Sequence, residues 1–265
     1  MSMKVMTFNI CCGGGPEGHS LEECAPRVIS ILKKHDPDII GMQEATPHWF
    51  ELFGNFFEEA GYEVFNKYRA ESNKESTPMM WKKDKYECLD KGYFWLSDTP
   101  EVESKGWDEY GCHRICLWVK LKEIATGKIL IAANTHFGFG DQCQTDSARL
   151  ILNRVNAHGC DAVFVTADYN FNSEMLGYKE MTKEFVDVTA STTGDKSPTY
   201  HGYNLANAMT DEEIRVTGKT FGGHIDFCFA NPKGITPISG KVLREHFDGK
   251  FPSDHNPVLF ELELK

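Results

Sequence analysis

The hydrophobic residues of this chain fall into short continuous runs, and most of the runs end in polar side chains. Four of them read KVMTFN, DIIGMQE, KILIAANTH and DAVFVTADYN, and their last residues are Asn9, Glu44, His136 and Asn170. Runs that are short, rich in β-branched residues and continuous are typical of strands buried on both faces. One polar strand end is ordinary, because strand ends meet solvent. Repetition in several strands predicts that these side chains meet at one edge of a sheet.

Two further segments add acids and a histidine to this pattern. GGHIDFCFAN carries Asp226 inside an apolar run, where a carboxylate is costly to bury unless it is paired. FPSDHNPVLFELEL places Asp254 and His255 directly before an alternating run that predicts a strand. The alternative interpretation is that Asp254 only caps a turn between Pro252 and Pro257. The strand itself does not require an Asp-His pair at its start.

Amphipathic segments between the runs predict helices. SLEECAPRVISILKKHDP opens with a capping box formed by Ser20 and Glu23, and TDSARLILNRVNAHG is closed by Gly159. A further helix is predicted over residues 46–61, with Pro47 at its first position. Strand–helix–strand units thus occur twice, and PMMWKK, RICLWVKL and ITPISGKVL are further strand candidates. The pattern predicts an α/β fold with two β-sheets packed together and helices outside.

Length, charge and cysteine content narrow the class of protein. No linker-like composition divides the 265 residues, so we expect a single catalytic domain over residues 1–265. No leader or membrane-spanning stretch is visible, and the nine cysteines lack a metal-binding spacing, which together suit a cytoplasmic protein with reduced thiols. We also expect a monomer. The net charge of −11 disfavours a long nucleic-acid groove. It remains compatible with a short strand or a small phosphate ester.

The residue types at the run ends favour a particular chemistry. Asn, Glu and Asp offer oxygen ligands, which favour Mg²⁺, or Mn²⁺ as the alternative, over zinc. Magnesium usually binds few protein carboxylates together with substrate phosphate, so phosphoryl transfer is the natural reaction. Attack on a phosphodiester requires a positioned water, neutralisation of developing charge and help for the leaving oxygen.

The ordered series TFN, MQE, NTHF, ADYN, HIDF and SDHNP resembles the endonuclease/exonuclease/phosphatase superfamily over nearly the whole chain, from Asn9 to His255. FWLSDTPEVESKGWD, RICLWVKL and SPTYHGYN are similar to bacterial members near the deadenylase/nocturnin branch. The resemblance implies a four-layer α/β sandwich, with two packed mixed β-sheets flanked by helices. One departure is Ala167 and Tyr169, where the family usually has Gly and Phe, and we expect it to be tolerated because Asp168 and Asn170 are kept.

The resemblance also implies a metal site and a phosphate site. Glu44 is expected to be the main metal ligand, with Asp254 lining the metal pocket. Asn9 is expected beside Glu44, holding metal or substrate phosphate. From its residue type and position, Arg114 could clamp a phosphate with two hydrogen bonds, or it could form a surface ion pair.

Five residues receive catalytic roles from the same resemblance. Asp168 is expected to orient or deprotonate the attacking water, with Asn170 fixing the phosphate and the water. His255 is expected to contact the scissile phosphate and to be oriented by Asp226. His136 is expected to be a second hydrogen-bond donor to the phosphate.

These expectations converge on a Mg²⁺- or Mn²⁺-dependent phosphoesterase. Its expected substrate is a short single-stranded nucleic acid or a nucleotide-like phosphodiester, and trimming of RNA 3′ ends is the leading subclass. One alternative is hydrolysis of a small phosphorylated metabolite or a lipid head group. A second alternative is a binding protein of the same fold that has lost catalysis. We expect residues 66–112 and 191–222 to select the substrate.

Overall fold

Two β-sheets form the centre of the computed structural model, which describes residues 2–204 and 223–265. Their strands, numbered along the chain, are β1 (Ser2–Asn9), β2 (Ile39–Gln43), β3 (Tyr62–Phe65), β4 (Met79–Lys82), β5 (Tyr86–Trp95), β6 (Ile115–Glu123), β7 (Ile129–His136), β8 (Val163–Asp168), β9 (Val186–Asp187), β10 (Asp226–Ala230), β11 (Ile235–Val242) and β12 (Val258–Leu264). The first sheet has the strand order β11-β12-β1-β2-β4-β3, and the second has the order β5-β6-β7-β8-β10-β9. Both are mixed sheets, because β1 and β2 run parallel, as do β7 and β8.

The pairing pattern brings the polar run ends to one edge of the two sheets. β1 and β2 are parallel neighbours, so Asn9 and the residue after Gln43 leave the first sheet at the same edge. β12 runs antiparallel to β1, and the segment entering it therefore arrives at that edge. In the second sheet, His136 lies beside Asp168, which in turn pairs with Asp226 at the start of the antiparallel β10.

Five helices cover the outer faces of the sheets in the part of the chain that the structure describes. They are α1 (Leu21–His35), α2 (Pro47–Phe53), α3 (Phe56–Glu59), α4 (Asp141–Asn156) and α5 (Leu176–Met181). The capping box of α1 is confirmed, since the Ser20 side chain accepts from the backbone of Glu23 and the Glu23 side chain accepts from the backbone of Ser20. The prediction of one helix over residues 46–61 was wrong. The helix is interrupted at Gly54, whose φ of 52° lies in the left-handed region that favours glycine.

Three apolar clusters hold the layers together. One lies between the two sheets, and the other two lie between each sheet and its helices. The continuous runs are buried as expected, because every residue of β2, β8 and β10 is buried. The four-layer sandwich predicted from the sequence is therefore confirmed. No helix in the described ranges is long and apolar enough to cross a membrane.

A buried polar link joins the two sheets beneath their common edge. The Asn134 side chain of β7 donates from Nδ2 to the carbonyl oxygen of Met42 at 2.7 Å, and its Oδ1 accepts from Gln43 Nε2 at 2.7 Å. Thr166 Oγ1 of β8 donates to the same Oδ1 at 3.1 Å. Gly41 is required here, because a Cβ at this position would lie 2.4 Å from Asn134 Oδ1. This link fixes the strands that carry the polar ends.

Candidate active site

The strand ends surround one pocket of about 570 Å³. Its lining residues are Cys12, Glu44, Arg69, Glu75, Arg114, His136, Phe139, Asp168, Asn170, Tyr200, Ile225, Asp254 and His255. Asn9 and Asp226 are hydrogen-bonded directly to members of this set. The structure thus brings together all nine residues singled out from the sequence.

Glu44 is held at the pocket wall by donors from β1 and the loop after it. Its Oε2 accepts from the backbone N–H of Cys12 at 2.8 Å, and its Oε1 accepts from Asn9 Nδ2 at 3.1 Å. Burial alone would raise the pKa of Glu44, but these hydrogen bonds outweigh it, and the pKa lies below its ordinary value. The carboxylate is therefore kept ionised. Asn9 Nδ2 also donates to Asp168 Oδ2 at 2.9 Å, so this amide connects the acids of the two sheets.

Asp254 adds a further acid to the pocket. Ser253 Oγ donates to the backbone oxygen of Asn9 at 2.7 Å and lies 3.2 Å from Asp254 Oδ1, which ties this loop to β1. Burial, together with the negative charge of Glu44, raises the pKa of Asp254. A bound cation would relieve the repulsion between these two carboxylates.

The donor set fits a hard divalent cation. Glu44, Asp168 and Asp254 supply carboxylate oxygens to one pocket, and such oxygens are the preferred ligands of Mg²⁺ and Mn²⁺. Asp168, Asp226 and His255 also offer ligand atoms that all lie within 4.8 Å of one another. In that trio, however, Asp226 already binds the imidazole of His255, so the carboxylates of Glu44 and Asp254 are the better candidates.

His255 lies between two acids of the second sheet. Its Nδ1 is 2.9 Å from Asp226 Oδ2, and its Nε2 is 3.6 Å from Asp168 Oδ2. Burial lowers the tendency of the ring to carry charge, but Asp226 and Asp168 outweigh burial and raise the pKa of His255 well above its ordinary value. Burial and the charge of Asp226 raise the pKa of Asp168. A positively charged imidazole beside a reacting phosphate can bind an oxygen that becomes more negative.

His136 and Asn170 form a second pair at the end of β7 and β8. Asn170 Nδ2 donates to the carbonyl oxygen of Phe137 at 2.9 Å and lies 3.0 Å from His136 Nε2. Burial and the nearby Arg114 and Arg69 hold the pKa of His136 well below its ordinary value, so the ring is neutral. In this arrangement His136 Nε2 accepts from Asn170, which leaves the Asn170 side-chain oxygen for a ligand.

Two site residues have left-handed backbones. Glu44, which directly follows β2, has a φ of 62°, and Asn170, two residues after β8, has a φ of 50°. Residues other than glycine adopt this conformation at a cost, and such strain is concentrated at functional sites. The sharp turn here directs each side chain into the pocket instead of along the sheet.

Arg114 is a buried residue of the pocket wall. Its Nε lies 3.1 Å from Asp108 Oδ2, and its Nη1 has no hydrogen-bond partner among the described residues. The sequence left open a surface ion pair, but the side chain is only 6% exposed. A buried guanidinium with a spare donor is suited to binding a substrate oxygen.

Sequence reasoning missed Arg69 and Glu75, which form an ion pair in the same pocket at 2.6 Å between Nη2 and Oε2. Burial, partly opposed by Arg69, raises the pKa of Glu75 to about 6. Both residues lie in the segment between β3 and β4, which has no strand or helix periodicity. The sequence indicated only that residues 66–112 help to select the substrate, and it did not identify Arg69 or Glu75 within that segment. Part of the other expected region, residues 205–222, lies outside the described residues.

A sandwich of two mixed sheets, with acids, amides and histidines at one edge, defines a phosphoesterase or nuclease class of protein. The structure of an endonuclease/exonuclease/phosphatase from Bacteroides vulgatus matches with a TM-score of 0.86 and 30% identity over 100% of both chains. This chain therefore belongs to the endonuclease/exonuclease/phosphatase family, as its sequence predicts.

Two other solved structures show how wide this fold family is. A mannosyl-6-phosphatase from Bacteroides thetaiotaomicron has a TM-score of 0.81 and 25% identity, covering 98% of this chain and 99% of its own. The human nocturnin catalytic domain shares the fold, with a TM-score of 0.72 and 14% identity, covering 100% of this chain and 94% of its own. No family sequence model matches the chain.

Proposed function

We propose that this protein, acting through a single catalytic domain, is a divalent-cation-dependent phosphatase that hydrolyses the phosphate ester of a small organic molecule. The observation that carries the proposal is the line of contacts from Asp226 through His255 to Asp168, in the wall of a pocket that also contains Glu44 and Asp254. A binding protein would have no need to bury this charged histidine beside an acid placed to accept a proton.

Asp168 is the base in this proposal. Its Oδ2 is fixed by Asn9, and its Oδ1 accepts from the backbone N–H of Asn170 at 3.0 Å. A water beside this carboxylate gives it a proton while the water oxygen bonds to phosphorus and the ester P–O bond breaks. The electron pair of that bond goes to the ester oxygen, which takes a proton from solvent and leaves as the alcohol. The Asn170 side-chain oxygen can accept the second hydrogen of the same water and so orient it.

His255 stabilises the charge that develops on the phosphate. The carboxylate of Asp226 fixes its Nδ1 proton, so Nε2 is the donor that faces the pocket. Arg114 adds a second donor, as the sequence suggested. The hydrogen bonds from both donors strengthen as the phosphate oxygens become more negative in the transition state.

Glu44 and Asp254, with Asn9 positioning Glu44, would hold the cation, Mg²⁺ or Mn²⁺. When bound, the cation supplies positive charge to phosphate oxygens and lowers the pKa of nearby water and carboxylates. This effect would oppose the burial that raises the pKa of Asp168 and would keep the base ionised.

The volume of the pocket and the net charge of the protein support a small substrate. The pocket volume of about 570 Å³ is that of a small-molecule site. A net charge of −11 repels a long polyanion. A relative with 25% identity is a mannosyl-6-phosphatase, which supports the same class of substrate here.

A second candidate is the removal of nucleotides from the 3′ end of a short RNA. Three exposed aromatic side chains favour it, because bases stack on such rings. Tyr200 and Phe139 line the pocket, and Phe139 contacts the exposed Tyr110 edge to face at 5.3 Å.

Hydrolysis assays with three substrates test the proposal. We expect p-nitrophenyl phosphate to be hydrolysed with Mg²⁺ or Mn²⁺ and not with excess EDTA. Bis-p-nitrophenyl phosphate and a short RNA should be poorer substrates. Asp168→Asn should abolish turnover, whereas Asp161→Asn, on the exposed surface, should not change it. Turnover of RNA or the diester in preference to every monoester would contradict the phosphatase proposal and favour RNA 3′-end trimming.

A further inference from the structure

Arg69 is rigidly fixed in the pocket wall by its own loop. Its Nη2 contacts Glu75 Oε2 at 2.6 Å, and its backbone N–H donates to the carbonyl oxygen of Glu75 at 2.8 Å. Its carbonyl oxygen accepts from Trp95 Nε1 at 2.8 Å. The side chain is 12% exposed and lines the pocket, and its Nε is buried without a partner within the described residues. A guanidinium so positioned is pre-organised to bind a ligand.

The contacts place Arg69 away from the reacting centre. His136 Nε2, which accepts from Asn170, lies 3.5 Å from Asp168 Oδ2, and its Nδ1 lies 4.0 Å from Glu75 Oε1. Glu75 in turn contacts Arg69. Arg69 is therefore separated from the catalytic carboxylate by two side chains, yet it lines the same pocket. A substrate whose phosphate lies at Asp168 would present its alcohol portion to Arg69.

The charge balance of this wall selects the kind of group that it binds. Each arginine of the wall is already neutralised by a buried acid, Arg69 by Glu75 and Arg114 by Asp108. In the proposed mechanism Arg114 adds only a hydrogen bond to a phosphate that already lies beside the charged His255. A second phosphate at Arg69 would find no unneutralised cation among the described lining residues there. Hydroxyl groups, which both donate and accept, match a wall with spare N–H groups beside a carboxylate.

Aromatic rings complete the arrangement. Tyr200 is 41% exposed and Phe139 is 40% exposed, and both line the same pocket. An aromatic face covers the C–H face of a sugar ring, while polar side chains bind its hydroxyls.

We propose that Arg69, positioned by Glu75, binds hydroxyl oxygens of the alcohol portion of the substrate and thereby selects phosphate esters of polyhydroxylated molecules such as hexoses. This inference rests on the proposed phosphatase function. Arg69 acts on substrate choice and takes no part in breaking the P–O bond.

The test compares substrates with and without hydroxyl groups. In the Mg²⁺-loaded protein, Arg69→Gln should lower kcat/KM for mannose 6-phosphate or glucose 6-phosphate by about 10- to 100-fold, as expected for lost hydrogen bonds to a charged group. The kcat/KM for p-nitrophenyl phosphate should change by less than about threefold, since the phosphate contacts remain. Arg149→Gln, which alters an exposed arginine of α4, is the matched control and should change neither.

A second variant guards against loss of folding. Arg69→Gln leaves Glu75 buried without its cation, so Arg69→Gln combined with Glu75→Gln restores a neutral, hydrogen-bonding pair. We expect this double variant to fold and to show the same selective loss of hexose phosphate hydrolysis. Equal losses for all substrates would overturn the inference, because Arg69 would then serve the phosphate or the fold. Wild-type preference for adenosine monophosphate over hexose phosphates would also overturn it. Failure of the wild type to hydrolyse any monoester would instead refute the proposed function itself.

Discussion

Asp226 and His255 are in direct contact, and in the proposed mechanism they act as one unit. The carboxylate fixes the imidazole at 2.9 Å, so removing either partner disables the other. Asp226→Asn and His255→Ala should each lower kcat by about 10²- to 10⁴-fold. The double variant should be scarcely worse than His255→Ala, because effects within a unit are not additive. Steady-state kinetics of the three variants measure this, and losses that multiply would show that the residues act independently.

Glu44 allows a separate test of cation binding. Glu44→Gln keeps the shape of the side chain but removes its charge. Affinity for Mg²⁺ should fall by at least about tenfold, because even substitutions of residues that only support the metal ligands lower metal affinity by this much. Without metal, the free energy of unfolding should change little, because the hydrogen bonds that favour the ionised Glu44 are weakened while its repulsion of neighbouring acids is removed. The charge of Glu44 raises the pKa of both Asp254 and Glu75, so its removal relieves repulsion. Calorimetric titration measures the affinity, and the exposed Glu51→Gln is the control. Unchanged affinity would remove Glu44 from the metal site.

Single residues were predictable where they ended a buried run. Glu44, His136 and Asp168 followed apolar segments, so their position at a sheet edge could be read from the sequence. Arg69 and Glu75 could not be found in this way, because their loop has no periodicity and their ion pair is formed only when the loop folds back on itself.

At the scale of elements, the hydrogen bonds of Asn134 join the sheets. Asn134→Ala should lower the free energy of unfolding by about 3 kcal/mol, because the buried Gln43 and Met42 groups lose their partners. Urea denaturation measures the change. Asn153→Ala, at an exposed position of α4, should change stability little. A loss below about 1 kcal/mol for Asn134→Ala would mean that water replaces the amide.

The same scale shows where sequence patterns succeed and fail. β2, β8 and β10 were predicted because burial on both faces makes their sequences continuously apolar. β5 was not, because much of its length is exposed and charged residues at Glu87, Asp90 and Lys91 interrupt its apolar positions. The predicted helix over residues 46–61 divides at Gly54 because the chain there adopts a left-handed backbone that periodicity does not reveal.

At the scale of the whole molecule, net charge limits the length of any nucleic acid that is bound. With a charge of −11, we expect about one to three phosphate contacts, so log K should fall with log salt with a slope of about 0.7 to 2. Binding of uncleavable RNA of increasing length, measured at several salt concentrations, gives this slope. A steep slope that grows with length would show an extended basic groove and would favour the nuclease candidate.

The position of β12 between β1 and β11 has a consequence for synthesis on the ribosome. Thr7 pairs with Val258, so β1 is synthesised early with one edge unpaired. That edge stays unpaired until β12, near the end of the described chain, has been translated. Until then, that edge is free to pair wrongly with other chains, which makes chaperone protection valuable. Asp254 and His255 leave the ribosome just before the strand that closes the sheet. In the proposed mechanism, which needs both residues, a nascent chain therefore cannot hydrolyse phosphate esters before β12 is translated.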